Sequence, residues 1–354
     1  MNNNIDRSWI DKWEVPFVIS GPCSAENEQQ VLETAKRLKE SCHIQIFRAG
    51  IWKPRTKPNN FEGVGEKGLK WLQEVKRKFG IMVATEVANA KHVEQCIGND
   101  IDVLWIGARS TASPFTIQEI AEALEGSNPI VLVKNPIHPD LELWIGALER
   151  LLKKGIRKLG VIHRGFFIYK HSKYRNQPNW NILLELRKII SNIPIICDPS
   201  HICGNRKGIM DITNKAFHFP CDGIMIESHC NPDKAWSDAQ QQITPENLYD
   251  ILKRLNIRSK DKSKINLDSL RILIDELDEN IIFLLAKRMK ISKELGTIKK
   301  NLDIAIFQPE RWKYIIKRYI SIGKNLGLSE KLLENIFEIL HKESVEIQQN
   351  KVSE

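Results

Sequence analysis

Ile193-Pro194-Ile195-Ile196-Cys197-Asp198-Pro199-Ser200-His201 is a short apolar run that breaks abruptly into a polar cluster. The same phrase recurs through the first 255 residues. Pro16–Ser20, Ile44–Phe47, Ile81–Ala84, Val103–Ile106, Ile130–Val133, Leu159–Ile162 and Gly223–Ile226 are the other apolar runs, and a helical stretch follows each. Runs rich in β-branched residues suit strands covered on both faces, and their alternation with helices argues parallel βα units. Eight such units in residues 1–255 predict a closed (β/α)8 TIM barrel, an α/β fold of about this length.

Each run ends in residues that carry chemistry. In chain order these are Gly21-Pro-Cys23-Ser, Arg48 leading to Lys53-Pro-Arg55-Thr56, Thr85-Glu86, Gly107-Ala-Arg109-Ser110, Lys134-Asn-Pro, His163-Arg164-Gly, Asp198-Pro-Ser-His201 and Glu227-Ser-His-Cys. Barrel active sites lie at the C-terminal strand ends, so all of these converge on one mouth. Arg48, Lys53, Arg55, Arg109, Lys134 and Arg164 bring six cations there. One such residue alone is an ordinary solvated cap, but six in one cavity repel one another unless anions occupy it. Phosphates and carboxylates match the arginine fork.

Cys23, His201, Glu227 and Asp238 follow the first, seventh and eighth runs, and closure makes the first and last strands neighbours. A thiolate, an imidazole and two carboxylates suit one borderline divalent ion of the Mn, Fe, Co or Zn class. His229 and Cys230 are near enough in sequence to be rival ligands.

Together these motifs resemble those of 3-deoxy-arabino-heptulosonate 7-phosphate (DAHP) synthase over about Trp13–Leu255, in the branch shared with 3-deoxy-octulosonate 8-phosphate synthase. Lys53-Pro54-Arg55-Thr56 favours the heptulosonate enzyme, whose sugar substrate is erythrose 4-phosphate; Lys57 and Ser110 depart from the common pattern. The resemblance implies condensation of phosphoenolpyruvate with erythrose 4-phosphate. It places Arg109, Lys134 and Arg164, with Arg48 nearby, on phosphoenolpyruvate and Arg55 and Thr56 on the sugar phosphate. Lys53 and Glu86 become the candidate acid and water-positioning group.

Residues 256–266 are polar, charged and aperiodic, and read as a linker. From Leu267, apolar residues recur at three and four without a proline until Pro309, which predicts one helix to about Lys300, capped by Asp268 or Ser269. Helices over Pro309–Leu326 and from Ser329 to about Gln349 complete an all-α domain over 267–354. A first helix of roughly 50 Å exceeds the width of so small a domain and asks for a partner chain, so the protein is expected to be at least a dimer through this domain.

Arg288 and Lys299 share a helix face, while Arg271, 17 residues before Arg288, is too far along that helix to join them unless an antiparallel copy supplies it. Read without gaps, Arg271, Arg288, Lys299, Arg311, Ser344 and Gln348 match the all-helical chorismate mutase family, with departures at Gln308 and Trp312. The resemblance implies rearrangement of chorismate to prephenate by conformer selection and by hydrogen bonds to the ether oxygen. The alternative is a DAHP synthase whose helical domain mainly senses chorismate or prephenate.

Composition bounds the rest. The net charge of +9 is spread along the chain without interleaved aromatics, so nucleic acid is not expected as a partner. No apolar run approaches the roughly 18 residues of a membrane span, and an N-terminus without an apolar signal region points to the cytoplasm. Seven scattered cysteines fit reduced thiols.

Overall fold

The computed structural model describes residues 5–55, 57–169, 173–255 and 267–353. Two compact units emerge, residues 1–273 and 274–354. The expected linker, 256–266, lies outside the described residues, as does Thr56.

Eight parallel strands close the barrel in chain order: β1 Phe17–Gly21, β2 Ile46–Arg48, β3 Met82–Val87, β4 Val103–Ile106, β5 Ile130–Lys134, β6 Leu159–His163, β7 Ile195–Cys197 and β8 Gly223–Glu227. β1 seals against β8 in register from Phe17 beside Gly223 to Gly21 beside Glu227. All eight expected strands are present, with shifted ends. β7 begins after Pro194 because proline has no N–H to give the ladder. β3 runs on to Val87, so Glu86 is a strand residue paired with Trp105 rather than part of a loop.

The barrel helices are α1 Glu28–Ser41, α2 Lys67–Phe79, α3 Ala90–Gly98, α4 Pro114–Leu124, α5 Leu141–Lys153, α6 Asn181–Ile189, α7 Ile209–Ala216 and α8 Pro245–Arg254. Local chemistry sets several starts. Asn27, Asn89, Ser113, Asp140 and Thr244 each accept a backbone N–H of the first turn, and Pro114 and Pro245 supply a preset φ. α5 buries Trp144, Ala147, Leu148, Leu151 and Leu152, the three-and-four spacing of one helix face.

Strand alternation divides the core in two. Outward residues such as Val83, Leu104, Val131 and Val161 pack against the helices. Inward residues fill the barrel: Phe17, Ile19, Ile46, Ala84, Trp105, Leu132, Ile162, Ile196 and Met225. Trp9, from a one-turn helix at Ser8–Asp11, meets Phe17 edge-on at 5.6 Å and closes the N-terminal end.

α9 Leu267–Asn301, 35 residues long, begins in the first unit and ends in the second, where α10 Pro309–Asn325 and α11 Glu330–Ser353 follow it. α9 starts at Leu267, so Asp268 and Ser269 sit inside its first turn instead of capping it. Ser329 does cap α11, accepting the Leu332 N–H at 3.3 Å. Tyr319 stacks on Phe337 at 4.7 Å between α10 and α11. A side chain at Gly296 would come within 2.9 Å of the Gln348 Cα, so glycine there lets α9 approach α11 closely. Leu277, Ile281 and Leu284 on α9 remain more than half exposed. No helix of the described residues is long and apolar enough to cross a membrane.

His163 ends β6 on its outward face, against Phe166 and Trp180 at 5.8 and 5.4 Å, and burial drives its imidazole down to about 3. The unfolded chain takes up that proton near the ordinary value of 6.5 while the folded chain does not. Stability is therefore full above about pH 6.5 and falls as the pH drops toward 3. His163→Met should flatten this fall, read as urea midpoints at about pH 7, 6 and 5. Parallel slopes for wild type and variant would refute it.

Candidate active sites

Along each strand alternate residues face the interior. The inward series Ile46-x-Arg48, Ala84-x-Glu86, Leu132-x-Lys134 and Met225-x-Glu227 each end on a charge, so the top layer of the barrel is ionic. Its floor is the fully buried Trp105 ring, with the Arg48 guanidinium 4.8 Å and the Lys134 ammonium 5.9 Å from its centroid. Arg48 is itself fully buried. It pairs with Glu227 Oε1 at 3.1 Å and donates to the Cys23 carbonyl at 3.2 Å, beneath the cavity it was expected to line.

Above this layer lies a cavity of about 430 Å³, whose walls include Lys53, Arg55, Arg109, Lys134 and Arg164 together with Glu86, Cys23, His201 and Asp238. The structure thus brings all the described candidates of the barrel except Arg48 and Glu227 to the cavity wall, and those two are fully buried and paired with each other. Burial pushes the Arg164 guanidinium down to about 10, with Asp198 opposing and Arg175 and Arg109 adding repulsion. A site that destabilises its own cation when empty favours an anion. Glu86 reaches the wall because residue 107 is glycine: a side-chain carbon there would lie 2.1 Å from Glu86 Oε1.

On one side of the cavity the Cys23 sulfur and carboxylate oxygens of Glu227 and Asp238 all lie within 4.8 Å of one another. Lys53 Nζ is 3.3 Å from Cys23 Sγ and also donates to the Cys23 carbonyl. Burial, reinforced by the Glu227 charge, pushes the Cys23 thiol up to about 12. Asp238 and Glu227 stay ionised against burial, with Arg175 holding Asp238 down and Arg48 holding Glu227 down. Asp238 has φ +46°, a left-handed conformation that aspartate tolerates better than most residues and that aims its carboxylate at the cluster.

His201 Nδ1 lies 2.8 Å from Asp198 Oδ2 and its Nε2 lies 3.8 Å from Glu227 Oε1, while burial lowers the affinity of the imidazole for a proton. Two carboxylates converging on a thiol, beside an imidazole that burial keeps from charging, are a repulsive arrangement that a divalent cation resolves. The donors of Cys23, Glu227 and Asp238 fit such an ion, with His201 at the edge of the cluster, 3.8 Å from Glu227. His229 and Cys230 turn elsewhere: His229 accepts from Asn231 N at 2.8 Å and lies 3.5 Å from Glu26.

Sequence reading missed several contributors. Arg175, in the loop between β6 and α6, bonds to Asp238 Oδ1 at 3.0 Å and lines the cavity. Asp198 ties Lys134, at 3.1 Å, to His201. Gln242 accepts from Cys23 N at 2.9 Å and donates to the Ser237 carbonyl at 2.8 Å. Ser24 and Ser237 join their hydroxyls at 2.5 Å, and Glu26 accepts from Trp236 N at 2.7 Å. The loop carrying Asp238 is thereby stitched to the one carrying Cys23. The only signal of Arg175 was its place in a long loop after a strand.

In the helical unit, Arg288 donates to Ser344 Oγ and, at 3.0 Å, to the Leu340 carbonyl. Lys299 donates to the Ile306 carbonyl at 2.6 Å, and Gln348 Nε2 to the Ser344 carbonyl at 3.0 Å, leaving the buried Gln348 Oε1 without a partner. Burial lowers the affinity of both Arg288 and Lys299 for their protons. Trp312 stacks on His341 at 4.1 Å. Arg271 is exposed, 3.6 Å from Asp268, and Arg311 lies over the Tyr314 ring at 5.5 Å.

Known proteins place this geometry. The family model described as DAHP synthetase I family matches residues 12–262, and that described as chorismate mutase type II matches residues 270–349. A phospho-2-dehydro-3-deoxyheptonate aldolase of Thermotoga maritima is 32% identical over 238 residues, 67% of this chain and 68% of the relative. A 2-dehydro-3-deoxyphosphooctonate aldolase of Thioalkalivibrio sulfidiphilus is 26% identical over 239 residues, 63% of this chain and 82% of its own. The crystal structure of the Thermotoga maritima DAHP synthase superposes with a TM-score of 0.61 at 30% identity, covering 67% of each chain. The ionic barrel mouth thus belongs to a member of the DAHP synthetase I family, and the three helices beyond it form a chorismate mutase type II domain.

Proposed function

We propose that the barrel condenses phosphoenolpyruvate with erythrose 4-phosphate to DAHP and phosphate, and that the helical domain converts chorismate to prephenate. One observation carries the first reading: a single mouth in which a ring of cations faces a thiol, an imidazole and two carboxylates. Cys23, His201, Glu227 and Asp238 would hold a divalent ion of the Mn, Fe, Co or Zn class, which would supply Lewis-acid polarisation of an aldehyde.

The chain's own residues do the rest. Arg109, Lys134 and Arg164 bind the phosphate and carboxylate of phosphoenolpyruvate, which relieves the mutual repulsion around Arg164. Arg55 and Thr56 hold the sugar phosphate, and Arg48 acts from below by fixing Glu227. Lys53, whose ammonium lies beside Cys23, delivers a proton to the developing alkoxide, and Glu86 orients the water that adds to the enol-derived carbon.

For the mutase, Arg271 from one protomer joins Arg288, Lys299, Arg311, Ser344 and Gln348 of the other. Arg288 and Arg271 grip the carboxylates, Lys299 and Gln348 donate to the ether oxygen, and Arg311 and Ser344 complete the grip. The exposed apolar residues of α9 favour such pairing. A cytoplasmic homodimer or larger oligomer acting on small anions is part of this reading.

A regulatory role is the second reading, and the Trp312–His341 stack favours it, because an apolar ring stands where the family often presents a polar contact to the substrate hydroxyl. A mutase pocket that binds prephenate is a sensor available to the pathway's first enzyme. Differential affinity worth about 1 to 3 kcal/mol is sufficient coupling.

Cys23→Ser or His201→Ala, or chelation, should lower synthase turnover by several kcal/mol of activation, roughly a thousandfold, with mutase activity within about twofold. Equal loss of both in a folded protein would overturn the division of labour. Arg271→Ala and Arg288→Ala should each remove most mutase activity, and mixing the two should restore part of it as mixed dimers form. No recovery despite demonstrated subunit exchange defeats the shared site. Prephenate should inhibit the synthase of the intact chain but not of a chain cut within residues 256–266; an intact enzyme indifferent to saturating prephenate removes the regulatory reading.

A further inference from the structure

Gln241 is almost fully buried, and it makes three contacts that meet nowhere else. Its Nε2 donates to Glu227 Oε2 at 2.7 Å, its Oε1 accepts from Arg175 Nη1 at 2.7 Å, and its backbone N–H donates to the Asp238 carbonyl at 3.1 Å. Arg175 Nη1 in turn bonds to Asp238 Oδ1 at 3.0 Å. The ring closes through Gln241, Arg175 and Asp238, and the Gln241 amide ties Glu227 to it.

The amide is chemically specific to this place. A carboxylate requires a donor and a guanidinium requires an acceptor, and a single primary amide presents one of each. Because Oε2 of Glu227 is occupied by Gln241, the carboxylate cannot rotate freely, and Oε1 is left turned toward Arg48 and His201. On the other side, Arg175 is held where it lines the cavity, facing the same space as Lys53 and Asp238.

We infer that Gln241 is a positioning residue that fixes the Glu227 carboxylate for divalent-ion binding and, through the same amide, aims Arg175 into the anion cavity. The inference rests on the metal reading proposed above and goes beyond it, since Gln241 touches neither ion nor substrate. Loss of a group that orients a metal ligand typically costs about 10- to 100-fold in metal affinity.

The test is Mn²⁺ binding to metal-stripped full-length protein, followed by calorimetry and by the electron paramagnetic resonance of the free ion. Wild type and Cys23→Ser set the scale. Gln241→Met, close in size but without either hydrogen bond, should weaken Mn²⁺ binding about 10- to 100-fold while the melting temperature of the stripped protein stays near that of wild type. Gln241→Glu keeps an acceptor for Arg175 but sets a like charge against Glu227, and should also weaken Mn²⁺ binding, so it decides the matter if the methionine variant does not fold. A folded variant of either kind that binds Mn²⁺ as tightly as wild type overturns the inference and leaves the metal reading intact. Wild-type protein that binds no Mn²⁺, or binds it as well after Cys23→Ser, overturns the metal reading and the inference with it.

Discussion

Closure of the sheet is the constraint on which the rest depends. Once β1 is sealed to β8, every strand has one face inside a space with no water to solvate it, and the last inward position of each strand must be accommodated in a shared layer. In this chain four of those positions are Arg48, Glu86, Lys134 and Glu227. Charges at that depth are tolerable only when paired or over a polarisable surface. Arg48 has Glu227, Lys134 has Asp198, and both lie over Trp105. The chemistry of the mouth is built on ion pairs that the barrel had to make in order to close.

The pairing is uneven, and the unevenness creates function. Around Glu227 and Asp238 negative charge converges with a thiol that burial keeps protonated, whereas positive charge accumulates around Arg164, which Arg175 and Arg109 both repel. Neither half is at ease alone. One half attracts a cation and the other an anion, so a metal and a phosphorylated substrate are drawn to adjacent parts of one cavity. Asp198 joins the halves through contacts to Lys134 and to His201, so the imidazole on the cation side and the ammonium on the anion side share one buried carboxylate.

The strands and their charged ends were readable because each is a local event: an apolar run, then a polar cluster, in one contiguous stretch. Ile193–His201 contains both. What could not be read was whatever depends on the fold bringing distant loops together. Arg175 and Gln241 are separated by 66 positions, and neither sits in a recognisable motif, yet they share a hydrogen bond. Arg48 was readable as a residue of the mouth but not as one spent on Glu227, because that partner comes from the far end of the barrel chain. Glu86 was assigned to a loop because Ala84-Thr85-Glu86-Val87 breaks its apolar run early, and only pairing with Trp105 shows the strand continuing.

The helical domain poses the complementary problem. Its cations are satisfied inside one chain: Arg288 by Ser344 and the Leu340 carbonyl, Lys299 by the Ile306 carbonyl. A dianion entering this site must exchange those neutral acceptors for its own carboxylates, a trade that charge-assisted hydrogen bonds favour. Arg271, by contrast, is exposed beside the neighbouring Asp268, and lies 17 residues of helix, roughly 25 Å, from Arg288. The exposed leucines and isoleucines of α9 leave one chain with an apolar face that water opposes. If a second copy supplies both the missing arginine and the cover for that face, ligand binding and assembly become linked, because whatever binds the paired state also stabilises it.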